Sequence, residues 1–217
     1  MIYSLFIFDF DGTLADSKDN IAKSLNSAFK KNNLPEIPLE NIYPHIGKLS
    51  IAKTILEFYP ELSERKVQEL REDYITRLNQ NVKEELKFFP GALETVKKLK
   101  EKNKKTAILS VKPKEQIELV LETFEIRHLF DSIHGNGTSE FEKPARGCVE
   151  FIVSDLGLNI ENESILMIGD SHVDVEVGKN AGIDMFGVSH GITSPQELTE
   201  LGAKKILKSF DELLSFA

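Results

Sequence analysis

Two carboxylates, Asp9 and Asp11, follow directly after an apolar run over residues 2–8. The run predicts a buried parallel strand, in which alternation would project both acids to one side while Phe10 faces the core. Gly12 then allows a sharp turn and a close approach of the backbone to a ligand. Asp-Gly alone is a common turn signal. An acid beside so much apolar sequence is costly to bury without a positive partner, however, which predicts a bound divalent cation.

Polar residues recur after later strand patterns in the chain. Ser110 ends an apolar pattern over residues 105–110, Lys143 lies in a loop after another strand pattern, and Asp170 follows residues 164–168. In a doubly wound sheet, residues that follow different strands meet outside the carboxyl ends of those strands. We therefore expect these three side chains to lie beside the two acids of the first strand.

Asp9, Asp11 and Asp170 would bring three carboxylates together, and these would repel one another strongly at low dielectric. Mg²⁺ relieves such repulsion and prefers hard oxygen ligands. The expected ligands are the side chains of Asp9 and Asp170 and the main-chain carbonyl of Asp11. Asp174 follows four residues after Asp170. It is either an outer residue of the metal site or an acid at a helix start, where the dipole favours negative charge.

The remaining residues of this set suit a phosphate group. Ser110 can bind phosphate oxygens by a hydrogen bond and Lys143 as a point charge, while Gly12 allows a close backbone approach. Asp9 can attack phosphorus to give an aspartyl-phosphate, which divides one difficult hydrolysis into two displacements. Asp11 can protonate the departing alkoxide and later deprotonate the attacking water.

The elements that must position these residues alternate from residue 86 to the end, strand then helix. This alternation predicts an α/β fold with a doubly wound, mostly parallel, Rossmann-like sheet. Three helical patterns fill residues 16–85 without a convincing strand, which indicates a small all-helical insertion. The expected domains are a core of residues 1–15 and 86–217 and a helical cap of residues 16–85. Asp16 or Ser17 is expected to cap the first helix of the insertion.

Two residues of the insertion, His45 and Lys48, are candidate contacts to the polar end of a substrate. A solvated helix face explains them at least as well. Periodicity does not place them relative to the acids, so both explanations stay open.

The segment Asp9–Thr13 fits the pattern DxDGT, and Ser110, Lys143-Pro144 and Gly169-Asp170 follow it in order. This set resembles the haloacid dehalogenase-like (HAD) hydrolases, within them the phosphoglycolate phosphatase-like phosphatases. The resemblance covers nearly the whole chain and is thinnest over residues 16–85. It implies a Mg²⁺-dependent phosphatase for a small phosphate monoester, with the first acid as nucleophile, the second as acid and base, and the cap over the active site.

The chain departs from the family pattern at three places. Val111 stands where members often have Asn, which questions a secondary hydrogen bond to phosphate or within the site. Lys143-Pro144 is followed by Ala145-Arg146 instead of Pro and Asp, and His172 and Val173 fill loop positions that vary. No departure removes a predicted catalytic group.

Three alternative functions remain open. Sugar phosphomutases share both acids of the first motif, although the segment around His45 does not resemble their cap, and an inorganic pyrophosphatase could use the same scaffold. A non-catalytic regulatory protein could also keep the fold. The acid at Asp11 argues against carbon–halogen cleavage, which needs no leaving-group acid.

Composition excludes several other classes. The 217 residues carry a formal charge of −8, which disfavours nucleic-acid binding. Residues 1–8 lack a basic leader and end at Asp9, so they predict neither a signal peptide nor a membrane span. The single cysteine, Cys148, cannot form an internal disulfide and is expected to pack in the core. We expect a cytoplasmic protein that binds a small phosphorylated metabolite; the oligomeric state is open.

Overall fold

The computed structural model of the chain describes residues 2–161 and 164–217. Its described strands are β1 (Leu5–Phe8), β2 (Ala15–Asp16), β3 (Lys87–Phe88), β4 (Lys105–Pro113), β5 (Ser132–Asn136), β6 (Ile165–Gly169), β7 (Asp184–Val188) and β8 (Lys205–Leu207). Six of these form one parallel sheet in the order β5-β4-β1-β6-β7-β8. The first strand lies in the middle with later strands added on both sides, which confirms the predicted doubly wound fold.

Helices connect the strands and cover the sheet. The described α-helices are α1 (Lys18–Lys31), α2 (Leu39–Ile42), α3 (Ile51–Phe58), α4 (Glu64–Gln80), α5 (Val82–Glu85), α6 (Ala92–Glu101), α7 (Lys114–Thr123), α8 (Arg146–Asp155), α9 (His172–Ala181) and α10 (Pro195–Leu201). Short 3₁₀ helices cover Tyr43–His45, Arg127–Leu129 and Phe210–Phe216. None of the described helices is both long and apolar enough to cross a bilayer.

Strand β1 is buried on both faces because helices cover both sides of the sheet. Leu5 and Ile7 belong to a core cluster that includes residues of α8 and α9. Phe6 and Phe8 belong to a second cluster that includes residues of α6 and α7, and Phe10 continues this second face. Cys148 of α8 is a free, buried thiol within the first cluster. The predictions that Phe10 faces the core and that Cys148 packs there are confirmed.

The segment between β2 and β3 is helical, and its helices α1 to α4 share a third core cluster. Leu25 and Phe29 of α1 belong to this cluster together with Leu70 and Tyr74 of α4. Helix α4 begins after Ser63, whose hydroxyl accepts a hydrogen bond from the backbone N–H of the third helical residue. Helices α3 and α4 thus match the apolar periodicity of the sequence.

Three local features differ from expectation. Strands β2 and β3 pair antiparallel over two residues, which joins the two chain connections between the sheet and the helical segment. Neither β2 nor the three-residue strand β8 was predicted, since strands this short show no alternation. Ser17 holds the N-cap position of α1, but its side chain makes no capping hydrogen bond. Its hydroxyl binds Asp11 instead, so the predicted capping role of Ser17 is wrong.

Candidate active site

The predicted polar residues lie at one edge of the sheet. Phe8 is in register with Ile108 on β4 and with Ile168 on β6, so the residues after these three strands emerge together. Asp9 follows β1, and Asp170 follows β6. Strand β4 continues beyond its predicted end to Pro113. This longer strand carries Ser110 within it instead of at its end.

Asp9, Asp170 and Asp174 form a buried cluster, and the ammonium of Lys143 contacts two of these acids. One carboxylate oxygen from each acid lies within 4.8 Å of those of the others. Lys143 Nζ lies 3.1 Å from Asp9 Oδ1 and 2.5 Å from Asp174 Oδ1, and all three side chains are at most 1% exposed. The ammonium also donates to the carbonyl of Leu109 at 3.2 Å. Among the described residues, no other three acids, histidines or cysteines are close enough to share an ion.

Fixed donors orient two of these acids. Asp170 accepts from the hydroxyl of Thr13 and from the backbone N–H of Ile192, each at 2.9 Å. Asp174 Oδ2 accepts from the backbone N–H groups of Asp170 and Ser171 and from the Ser171 hydroxyl, in a capping box at the start of α9. Asp174 therefore acts as the acid at a helix start, and its other oxygen points into the carboxylate cluster.

Asp9 has no such donors. Neither of its carboxylate oxygens has a hydrogen-bond partner of acceptable geometry among the described residues, although the residue is fully buried. Three carboxylates against one ammonium leave two negative charges in excess. A divalent cation would balance that excess and occupy the free oxygens of Asp9, so the donor set fits Mg²⁺.

The backbone at Gly12 makes room for Asp170. Gly12 has φ +86°, and a Cβ placed on it would lie 2.6 Å from Asp170 Oδ2. Any other residue would therefore be strained and would displace the carboxylate. The glycine of the DxDGT pattern is required by the position of a partner acid that lies more than 150 residues away in sequence.

Burial shapes the ionisation of the cluster. Desolvation raises the pKa of Asp9 well above its usual value, and the ammonium of Lys143, which lowers it, does not reverse the shift. The charges of Asp174 and Asp170 raise this pKa further. Burial by itself would lower the pKa of Lys143, but the carboxylates of Asp174 and Asp9 hold that pKa above its usual range. Lys143 therefore stays positively charged, and both Asp9 and Asp174 are stabilised by this one charge.

Replacing Lys143 with Met is expected to lower the free energy of unfolding of the metal-free protein by about 3 kcal/mol, because it leaves buried carboxylates without a counter-ion. Urea unfolding at pH 8 with EDTA measures this loss. Saturating Mg²⁺ should recover part of it, since the cation replaces the missing positive charge.

The control is Lys204→Met, which removes an ion pair of similar length, 2.7 Å to Asp184, from a side chain that is 51% exposed. That change should cost less than about 1 kcal/mol. Equal losses in the two variants would show that the charge of Lys143 is not needed by the cluster.

Asp11 has separate partners from Asp9. Its carboxylate accepts from Ser17 Oγ at 2.5 Å and from Lys112 Nζ at 3.2 Å (Oδ1) and 3.0 Å (Oδ2). The Asp11 and Lys112 side chains are each 5% exposed. Strand alternation suggested that Asp9 and Asp11 project together, but the chain turns after the strand and gives each acid its own cation.

Lys112 is a site residue that the sequence analysis missed. It lies two positions after Ser110 on β4, where alternation along a regular strand would place both on one face. The strand was expected to end at Ser110, so this signal was not used. Strand β4 is also irregular here, because its pairing with β5 shifts register between Leu109 and Pro113. Ser110 is buried, and its hydroxyl accepts from the backbone N–H of Lys112 at 3.3 Å.

Comparison with known proteins agrees with this geometry. A family model described as haloacid dehalogenase-like hydrolase matches residues 6–188. The chain belongs to the haloacid dehalogenase-like hydrolases. The predicted family is confirmed, and the match includes the acids, lysines and glycine described above.

Individual relatives cover the whole HAD hydrolase. A phosphoglycolate phosphatase of Haemophilus influenzae is 29% identical over 98% of this chain and 97% of its own length. A predicted phosphoglycolate phosphatase from Haemophilus somnus 129pt has a crystal structure with TM-score 0.88 and 25% identity, over 98% and 97% of the two chains. A predicted phosphatase from Clostridium acetobutylicum gives TM-score 0.83 and 25% identity over 99% and 98%.

In this HAD hydrolase the side chains of the two candidate residues of the helical segment have different surroundings. The ring of His45 packs edge-on against Phe58, with centroids 5.3 Å apart. Lys48 lines a cleft of about 360 Å³ that also reaches Gly12 and His190. Of the two, only Lys48 lines a space that extends to the DxDGT loop, and the roles of both stay predictions.

Proposed function

We propose that the protein is a Mg²⁺-dependent phosphatase that hydrolyses a small phosphate monoester through an aspartyl-phosphate on Asp9. The observation that carries this proposal is the buried Asp9. Its carboxylate has no hydrogen bond of acceptable geometry among the described residues and lies beside Asp170, Asp174 and Lys143. The names of the relatives support phosphoglycolate, or an ester like it, as the substrate.

The domain division belongs to this proposal. Residues 1–15 and 86–217 would form the catalytic core, with Met1, Asn162 and Glu163 outside the described residues. Residues 16–85 would form the cap. The separate core cluster of the helical segment and the β2–β3 pairing at its base support this division.

In the first step an oxygen of Asp9 bonds to phosphorus and the bond from phosphorus to the ester oxygen breaks. Asp11 gives its proton to that ester oxygen, so the alcohol leaves neutral. Lys143, which contacts Asp9, and the hydroxyl of Ser110 would bind oxygens of the phosphate. Gly12 would allow the phosphate to approach closely, while its own N–H donates to the carbonyl of Ala15.

In the second step Asp11 takes a proton from water, and the water oxygen bonds to phosphorus. The bond from phosphorus to Asp9 breaks, which releases inorganic phosphate and restores the carboxylate. The two acids can have different tasks because they have different partners: Lys143 for Asp9, and Ser17 with Lys112 for Asp11.

Asp9, Asp170 and the main-chain carbonyl of Asp11 would hold Mg²⁺, and the carboxylate of Asp174 belongs to the same cluster. The cation would offset phosphate charge and allow an anionic nucleophile to approach it.

Phosphate release from a panel of small phosphorylated metabolites, with Mg²⁺ and with EDTA, tests the proposal. A phosphatase releases phosphate from 2-phosphoglycolate only with Mg²⁺. A mutase would isomerise a sugar phosphate without net release, a pyrophosphatase would act on pyrophosphate alone, and a non-catalytic protein would leave p-nitrophenyl phosphate intact. Each of these three results would contradict the proposal.

A further inference from the structure

A small cavity lies between the core and the helical segment, next to Asp11. Its volume is about 30 Å³, and its lining includes Lys112, Gln116 and Tyr74 beside apolar residues such as Ile21 and Ile46. A space of this size admits a group of a few heavy atoms. Asp11 is the proposed proton donor to the leaving group of the substrate. The leaving group would therefore lie beside Asp11 and extend into this space.

One positively charged side chain lines the cavity. Among its described lining residues, only Lys112 carries a positive charge. An ammonium has three N–H donors, and both hydrogen bonds of Lys112 Nζ in the described structure go to Asp11. Its charge also lies 6.0 Å from the centre of the Phe10 ring.

A second observation marks the cavity as a binding site. Gln116 is 7% exposed, and its side-chain Oε1 has no hydrogen-bond partner among the described residues. An unpaired amide oxygen in such a place is costly unless a ligand completes its hydrogen bonds. A half-turn of the amide presents its NH₂ group instead, which can donate to a ligand anion. Tyr74 adds a buried phenol whose pKa is raised by burial and by the charge of Asp11.

From this arrangement we propose that Lys112 binds the carboxylate of the leaving group and so selects phosphate esters of small α-hydroxy acids. In such an ester the carboxylate and the ester oxygen are bonded to the same carbon atom. A cation 3.0 Å from the acid that protonates the ester oxygen is therefore within reach of that carboxylate. The inference rests on the proposed phosphatase function and adds the residue that selects the carboxylate of its substrate.

Donor count favours a substrate anion beside Lys112. The ammonium has three N–H donors, and its two hydrogen bonds in the described structure both go to Asp11, so one donor is available to a ligand. A charge-assisted hydrogen bond in a dry site is stronger than a neutral one. A neutral hydroxyl at the same place would bond to the polar lining residues but would form no ion pair with Lys112.

The experiment compares 2-phosphoglycolate with 2-hydroxyethyl phosphate, which has the same two-carbon size but a hydroxyl in place of the carboxylate. We expect the wild-type kcat/KM to be about 10- to 100-fold higher for 2-phosphoglycolate. Lys112→Met should remove most of this preference, mainly through the KM for 2-phosphoglycolate, while Lys112→Arg should keep part of it. Lys114→Met, a matched change two residues along, should leave the preference unchanged.

Two results would overturn the inference. The wild type could show no preference for the carboxylate ester, or Lys112→Met could lower kcat/KM equally for both substrates, as expected if Lys112 only positions Asp11. Hydrolysis of p-nitrophenyl phosphate by the wild type separates these results from failure of the proposed function. If none of the three esters is hydrolysed, both proposals are wrong.

Discussion

Asp9→Asn is expected to lower kcat for phosphate release by at least about 10⁴-fold, because an amide cannot form the acyl-phosphate bond. The fold should persist, since the side chain keeps its shape in a fully buried place. The metal-free variant should unfold at the same temperature as the wild type or at a higher one. Burial raises the pKa of the Asp9 carboxyl in the wild type, so its ionised form destabilises the folded protein. Steady-state phosphate release and thermal unfolding measure the two effects.

Asp211→Asn is the matched control, because Asp211 is an exposed acid outside the cluster. It should retain full activity. Acid quenching of the wild type during turnover should trap phosphate on the protein, and Asp9→Asn should trap none. Substantial turnover by Asp9→Asn, or phosphate trapped on that variant, would show that another residue is the nucleophile.

The part of the site at the strand ends could be predicted because parallel sheets restrict where such residues can lie. Asp9 and Asp170 follow buried strands that are neighbours in the sheet, so any doubly wound order that pairs β1 with β6 brings them together. Lys143 was predicted as a site residue from its position in a loop after a strand. Its direct contacts to both Asp9 and Asp174 explain why a lysine lies there. Asp174, for which the sequence left open a helix-start role or an outer role at the metal site, makes the helix-start contacts and also lies in the carboxylate cluster.

The part that faces the helical segment could not be predicted in the same way. Tyr74 reaches the cavity beside Asp11 only because α4 packs on α1 in one particular orientation, and helical periodicity gives the buried face but not its neighbour. Ser17 was assigned to a helix cap because its type and position suit one. The nearby carboxylate of Asp11 provided a stronger partner, which local sequence rules do not include.

The stability of the metal-free protein is expected to fall as the pH rises from about 4 to about 7. Burial and the charge of Asp174 raise the pKa of Asp170 to about 7 in the folded protein, against hydrogen bonds from Ile192 and Thr13 that lower it. In the unfolded chain the same group ionises near its ordinary pKa of about 3.9. Between these values the folded state binds more protons than the unfolded state, so the free energy of unfolding decreases with pH.

The size of this effect follows from the shift. A difference of about three pKa units corresponds to at most about 4 kcal/mol for one group, fully lost above pH 8. Other residues also titrate in this range, so the informative quantity is the difference between the wild type and Asp170→Asn. That difference, variant minus wild type, should increase from pH 4 to pH 8 when both are unfolded in urea with EDTA.

Mg²⁺ should reverse the loss of stability at high pH in the wild type but not in Asp170→Asn. At pH 8 the wild type should gain stability with rising Mg²⁺, because the cation binds the folded carboxylates and not the unfolded chain. Its apparent affinity should weaken as the pH falls below about 7, since protons compete for Asp170. Asp170→Asn should bind Mg²⁺ at least about 100-fold more weakly, as expected when a ligand and not merely its neighbour is removed. The difference in free energy of unfolding between variant and wild type could instead stay constant with pH, with Mg²⁺ binding unchanged. That result would mean that the pKa of Asp170 is not raised in the folded protein and that Asp170 is not a metal ligand.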